Sequence, residues 1–271
     1  MNLDIYTTEM AKSVWDKAFF MDKIPGAKCV IDFGCADGTM IRFLAPLFPS
    51  IEFVGYDSNN ELIEMGEQAL SKEVKNVSFW RKEELHKMIH LIKDSYSMDE
   101  VCLNFSSVLH EVFSFNNGID EIKTLIKEIV PKYITIRDMY WHAGPGAYGL
   151  ASQEERIRET VLPQYIEEYE NRFDYIHNPK NTTHFLMKYQ WKDNGWEDEL
   201  KENYYSWDLN ELLNVVDNIQ YDEEYNERTH YGLVFSTYYQ LPFLTEKWLN
   251  EYGFYNVNAH THAQFILRRN D

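Results

Sequence analysis

Basic residues are scarce in this chain of 271 residues. Its 26 Lys and Arg face 44 Asp and Glu, for a formal net charge of −18. Recognition of DNA or RNA leans on Lys and Arg contacts to phosphate, so nucleic-acid binding is disfavoured. Cysteine is also sparse. Cys29, Cys35 and Cys102 are an odd set beside apolar or motif residues. That excludes a disulfide framework and reads as reduced thiols of a cytosolic protein. There is no C-x-x-C pair, no G-x-S-x-G elbow and no G-x-x-x-x-G-K-S/T loop, which removes the usual signatures of redox dithiols, serine hydrolases and NTP hydrolysis. No apolar run approaches the roughly 20 residues that span a bilayer. The opening MNLDIYTTEMAK lacks the basic start and apolar stretch of an export signal, so a cytoplasmic protein without a membrane partner is expected.

Hydrophobic residues make up 44% of the chain, enough for a sizeable core in one large domain or two small ones. From Cys29 to Met139 short apolar runs alternate with longer amphipathic ones. CVIDF (29–33), IEFVGYD (51–57), VSFW (77–80), VCLNF (101–105) and YITIRDM (133–139) read as strands. Their nearly continuous apolar character suits a parallel sheet covered on both faces. Between them, 39–48, 60–71, 83–93 and 119–130 read as helices, as does 8–23 ahead of the first strand. Ile119, Ile122, Leu125, Ile126 and Ile129 recur at helical spacing before Pro131. This alternation implies right-handed crossovers and an α/β, doubly wound sheet. Residues 140–235 break the pattern. They hold 19 Asp and Glu against 8 Lys and Arg, with many Tyr and Trp, and read as a mainly helical inserted lid. The tail returns to order, with a helix at 242–252 and then YNVNAH and AQFILRR as an antiparallel pair.

The stretch VIDFGCADGTM (30–40) poses the functional question. A strand entering a Gly-rich turn and then a helix is a ligand-binding device of open α/β sheets, because glycine lets backbone approach a ligand closely. The spacing is not G-x-G-x-x-G, which argues against a dehydrogenase. Asp57 ends the next strand in VGYD, where a carboxylate can accept both hydroxyls of a ribose.

With these two stretches in place, the sequence resembles the class I S-adenosylmethionine-dependent methyltransferases. VIDFGCADG is similar to that family's first motif and VGYD to its second. The resemblance covers about 1–139 and 240–269. It implies a Rossmann-like, mostly parallel seven-stranded sheet whose last two strands form an antiparallel hairpin, which residues 254–268 fit. The expected division is a core of 1–139 and 236–271 with a 140–235 insertion, and the implied cofactor is S-adenosyl-L-methionine. Carried over, Asp32, Gly34 and Gly38 contact or shape its methionine end, with Cys35 in the same turn. Asp57 binds the ribose with Ser58 beside it, and Asn104 and Phe105 lie by the methionine moiety. Two departures stand out: Ala36 replaces the middle glycine, and Glu83 must substitute for the Asp that usually faces the adenine. Lys12 and Trp15 of the preceding helix are placed to close over the cofactor.

In this fold the loop after the fourth strand borders the reacting centre, which puts His110 and Glu111 of NFSSVLHEVFSF there. An imidazole titrates in the useful range for removing a proton from a hydroxyl or ammonium. His110 is the candidate base; a helix-start residue bonded to backbone is the alternative. Arg137, Tyr140 and His142 follow the fifth strand and are expected to line an acceptor pocket, although Arg137 with Asp138 also reads as an ion pair supporting the loop. His86 and His90 stand four apart without a third ligand, and no metal is expected. The aromatic and acidic segment 181–207 either attracts a cationic, amine-bearing acceptor or forms the lid's own core. The expectation is methyl transfer to a small molecule, with an RNA or protein acceptor, or a non-catalytic binding module, as alternatives. Oligomeric state is not legible.

Overall fold

The computed structural model describes residues 13–142, 151–193, 195–217, 220–222, 227–228, 230–252 and 260–270. Helix α1 (Val14–Lys17) leads into β1 (Cys29–Phe33) and α2 (Thr39–Leu44), followed by β2 (Glu52–Asp57) and α3 (Asn60–Ala69). Then come β3 (Val77–Arg81), α4 (Leu85–Ser95), β4 (Val101–Ser106), α5 (Leu109–Phe115), α6 (Ile119–Ile129) and β5 (Tyr133–His142). Helices α7 (Ala151–Thr160), α8 (Pro163–Arg172), α9 (Pro179–Tyr189), α10 (Trp196–Glu199) and α11 (Leu209–Asp217) follow. A small ribbon of β6 (Gln220–Asp222) and β7 (Glu227–Arg228) precedes β8 (Tyr231–Tyr239), α12 (Pro242–Tyr252) and β9 (His260–Arg269).

The main sheet has seven strands in the order β3-β2-β1-β4-β5-β9-β8. β1 pairs in parallel with β2 and β4, which pair in parallel with β3 and β5, whereas β9 runs antiparallel between β5 and β8. Strand order reverses at β1, so the carboxyl ends of β1, β2 and β4 border the crevice where such sheets take ligands. The apolar runs follow from burial on both faces. All five residues of β1 are buried, with Ile31 and Phe33 in the cluster beneath α4 and α6, and Val30 in the opposite cluster with Phe20, Ile41 and Ile266. Helix α6 contributes Ile122, Leu125, Ile126 and Ile129 to the first of these. Asn59 caps α3 by accepting the backbone N–H groups of Glu61 and Leu62.

The helical part has its own core. Ile157, Tyr169, Phe185, Met187, Trp196 and Tyr205 pack with Leu244 and Trp248 of α12. The sequence boundaries need correction on both sides. β5 continues to His142 and β8 begins at Tyr231, so the sheet takes in both ends of the stretch read as insertion. Trp207, Leu212 and Val216 also join the sheet's core. The terminal antiparallel pair is β8 with β9, separated by α12. AQFILRR does lie in β9, but its partner is 231–239, and most of YNVNAH lies outside the described residues. The β8 segment YGLVFSTYY was missed because much of it faces solvent and it abuts an acidic stretch. The helix expected over 8–23 is described only at Val14–Lys17, which gives way to turns.

Candidate functional site

At the end of β1 the chain enters a left-handed turn. Gly34 has φ +73°, and a Cβ there would stand 2.5 Å from Val108 Cγ2, so glycine is required by both backbone and neighbour. Ala36 also has positive φ. Its N–H donates to Asp57 Oδ2 at 2.8 Å, while the N–H of Asn59 donates to Oδ1 at 2.8 Å. The Asp57 carboxylate therefore ties the turn after β1 to the turn after β2. Burial raises its pKa, and the surrounding backbone N–H groups offset part of that rise.

A cavity of about 420 Å³ opens here, lined by Gly34, Ala36, Asp57, Ser58, Ser107 and Glu111 among others. That volume falls in the ordinary range for small-molecule clefts. A narrow recess beside it is walled by Val14, Lys17, Asp32, Cys35, Asp37 and Ser106. Asp32 is buried and accepts the Asn104 amide N–H at 2.7 Å. Burial lifts its pKa to about 7 against the effect of that bond and of Lys17, whose own pKa burial lowers to about 8. An acid and an amine thus face one recess.

A second cavity of about 90 Å³ lies between the end of the sheet and the insertion. Its lining shares Ser107, Glu111 and Glu202 with the first cavity. Ser107 is the hinge between them. It has φ +58°, its N–H donates to the Arg137 carbonyl at 2.7 Å, and its Oγ accepts from Arg137 Nη1 at 2.6 Å. Such a conformation costs energy outside glycine and clusters at functional sites. His110 is 3% exposed and lines the second cavity. Its ring Nδ1 lies 2.7 Å from Asp138 Oδ1, and its backbone N–H donates to Asp138 Oδ2 at 3.1 Å. Burial alone would lower the His110 pKa, but Asp138, Glu111 and Glu202 outweigh it and raise it to about 9. Burial raises Glu111 to about 7, opposed by His110. Arg137 is buried, and its Nε donates to Asp16 at 2.6 Å and to the Tyr239 hydroxyl at 3.2 Å.

The structure brings Asp32, Gly34, Cys35, Asp57, Ser58, His110, Glu111 and Arg137 to these three spaces and leaves other expected residues outside them. Gly38 lines none; a Cβ there would strike the Phe79 ring at 2.3 Å, so its role is packing. Glu83 is exposed on the turn after β3, and Lys82 beside it lines the first cavity instead. Asn104 and Phe105 are wholly buried inside the sheet, Asn104 between Asp32 and Thr135, and Phe105 against Phe33. The cavity wall is made two and three residues after Phe105, by Ser107 and Val108. Trp15 is 73% exposed, whereas Val14 and Lys17 on another side of the same turn reach the recess. Tyr140 packs among Trp207, Tyr238 and Phe265, and His142 stacks on Tyr238 at 4.0 Å; neither lines these cavities. Lys12 lies outside the described residues. The sequence reading missed Glu202, Tyr204 and Met187, all in the second cavity. Glu202 and Tyr204 sit in the acidic, aromatic run flagged from sequence, but nothing local ties that run to β4.

Residues 26–159 match a family described as a methyltransferase domain. This domain belongs to the class I S-adenosylmethionine-dependent methyltransferases. It is an enzyme domain, and S-adenosylmethionine is its cofactor. Among solved structures, the plantazolicin methyltransferase BamL, in complex with a triazolic desmethylPZN analog and SAH, is 14% identical. The match covers 99% of this chain and 88% of that one, with a TM-score of 0.50. A SAM-dependent methyltransferase from Anabaena variabilis is 11% identical, covering 95% of this chain and 83% of that one, with a TM-score of 0.49. The methyltransferase domain of bacterial CtHen1 is 11% identical over 96% and 98%, with a TM-score of 0.47. At these identities the likeness is one of fold. No curated protein matches the chain significantly.

The methyltransferase's own residues fit this cofactor. The Asp57 oxygens each accept one backbone N–H and keep further acceptor capacity for ribose hydroxyls. The Asp32 and Lys17 recess offers opposite charges to an amino-acid end. When bound, S-adenosylmethionine supplies an electrophilic methyl group on a sulfonium. No helix among the described residues is long and apolar enough to cross a membrane.

Proposed function

We propose that the methyltransferase acts on a small-molecule acceptor whose reactive end, a hydroxyl or an amine, enters the second cavity. One observation carries this reading: Ser107, Glu111 and Glu202 line both cavities, so the two spaces meet at these residues. Direct displacement needs alignment and exclusion of water more than acid chemistry. The side chains of Met139, Met187, Leu241 and Leu244 give the second cavity an apolar side, and Glu111 and Glu202 give it a carboxylate side. Its volume of about 90 Å³ suits a small molecule or one end of a larger one. His110, held by Asp138, faces this space as a group able to hold the acceptor and, in its neutral form, to take a proton.

Of the two readings of segment 181–207, most of its rings follow the second and form the lid's own core. Phe185, Tyr189 and Trp196 pack on one another, and Tyr205 and Tyr169 are buried in the same core. Of that aromatic run, Trp191 and Tyr204 line the second cavity beside the carboxylates. An acidic protein of net charge −18 also suits a small acceptor better than RNA. The test is transfer of labelled methyl from S-adenosylmethionine to panels of small amines, phenols and alcohols, set beside RNA and peptide pools. Label in a small-molecule panel supports the reading. Label confined to RNA or peptide, or none anywhere despite tight binding of S-adenosylhomocysteine, overturns it.

A further inference from the structure

The second cavity holds a group of donors that proton transfer alone does not explain. One ligand atom each of His110, Glu111 and Glu202 lies within 4.8 Å of the other two. His110 Nε2 stands 3.9 Å from Glu111 Oε1 and 3.9 Å from Glu202 Oε2. Both distances are too long for hydrogen bonds. Around a cation with bonds near 2.1 Å, adjacent ligand atoms lie about 3 Å apart and opposed ones about 4.2 Å. The three donors therefore reach a common ion with side-chain adjustments of about 1 Å.

His110 supplies the independent observation. The residue is 97% buried, since only 3% of it is exposed. Its Nδ1 is engaged by Asp138 at 2.7 Å, and its Nε2 has no hydrogen-bond partner among the described residues. A carboxylate on one ring nitrogen, with the other aimed into a cavity, is how metal-ligating histidines are oriented. Charge points the same way. Glu199 also lines this space, and the nearby buried cations are engaged elsewhere: Lys188 donates to the Glu199 carbonyl at 2.6 Å and lies 3.7 Å from the Tyr204 ring, and Arg137, which lines the cavity too, donates to Asp16 and to Ser107, each at 2.6 Å. Four carboxylates, those of Glu111, Asp138, Glu199 and Glu202, thus surround the imidazole.

We infer that His110, Glu111 and Glu202 form a binding site for a divalent cation that holds an oxygen of the acceptor at the junction of the two cavities. One imidazole and two carboxylates suit a first-row ion such as Mn²⁺, whose remaining positions take oxygen ligands. The inference rests on the small-molecule reading and narrows it to acceptors bearing a hydroxyl or a neighbouring pair of oxygens. A protonated amine has no lone pair to give a cation and is excluded as ligand.

The test uses the full chain treated with chelator and then titrated with Mn²⁺, followed by electron paramagnetic resonance and calorimetry at moderate salt to suppress loose binding to the acidic surface. One tight equivalent is expected. Glu202→Gln and Glu111→Gln should each weaken it by about tenfold or more, while S-adenosylhomocysteine affinity shows that the fold and cofactor site survive. Absence of a tight equivalent, or equal Mn²⁺ affinity in both variants, overturns the inference, as does full transfer to an amine in excess chelator. That last result leaves the small-molecule reading standing. Tight Mn²⁺ binding with transfer to RNA alone would instead sink the small-molecule reading and keep the ion.

Discussion

The two sides of the active cleft are built differently. On the cofactor side, adjacent strands of one sheet carry Asp32 and Asp57 at their ends, and backbone N–H groups from the neighbouring turns fix Asp57. On the acceptor side, the cavity joins His110 and Glu111, which follow β4, to Glu202 and Tyr204 of the insertion, about 90 residues away. The Ser206 hydroxyl donates to the His110 carbonyl at 2.8 Å, and Ser114 bonds the backbone of Asn203. The first side is a local product of strand and turn. The second exists only once two cores have docked. Substitutions should therefore separate: those on the sheet side should change cofactor affinity, and those on the insertion side should change turnover.

The largest effect is expected at Asp57. Asp57→Ala leaves the Ala36 and Asn59 N–H groups without their acceptor and removes the carboxylate from the cavity. Hydrogen bonds to charged groups are worth about 1.5–3 kcal/mol, so S-adenosylhomocysteine affinity should fall about 10- to 100-fold by calorimetry. An unchanged affinity would break the assignment of this cavity to the cofactor.

Asp138→Asn sharpens the other half of the contrast. It removes the charge that orients His110 through Nδ1 and the backbone N–H. Loss of such a supporting partner typically lowers activity or metal affinity about 10- to 100-fold. Methyl transfer should fall by that factor with S-adenosylhomocysteine affinity unchanged. Equal loss of both would show that the two sides are not separable.

How much of this was legible follows from the same contrast. The five parallel strands, the Gly-rich turn and Asp57 were readable because continuous apolar runs and small residues encode them locally. Asn104 was misplaced by a short step: the strand keeps it inside the sheet, and the left-handed turn at Ser107 makes the wall. Trp15 and Glu83 lie outside the three spaces because helix rotation and the path of a turn are set by packing. Glu202 could not be read as a partner of His110, since no pattern in either segment announces a contact made across the insertion.

A smaller effect, set by pH, tests the recess. The folded Asp32 carboxyl titrates near 7, against 3.8 ordinarily, chiefly because it is buried. Between those values the folded state holds a proton that the unfolded chain has released, so this group's contribution to stability falls as pH rises through that window. Lys17 acts above it: its lowered value, about 8 against 10.5, makes stability recover as pH rises through that range. Asp32→Asn should flatten the acid-side slope in denaturant titrations run from pH 4 to 7. A slope equal to that of the parent chain would mean that Asp32 is ionised throughout, with Lys17 compensating fully.

The smallest effect tests which side of α1 faces the cofactor. Trp15 lies 73% exposed, touching Phe43 edge-on with ring centroids 4.6 Å apart, while Val14 and Lys17 wall the recess. Trp15→Ala removes a large ring that is mostly in water already. Stability should change by no more than about 0.5 kcal/mol and S-adenosylhomocysteine affinity by no more than about twofold. Lys17→Met should weaken that affinity more, because it removes the cation facing Asp32 in the recess. If Trp15→Ala matched or exceeded Lys17→Met, α1 would have to turn its indole inward when the cofactor binds. The sheet side would then share the acceptor side's dependence on docking, and the contrast between the two halves of the cleft would fail.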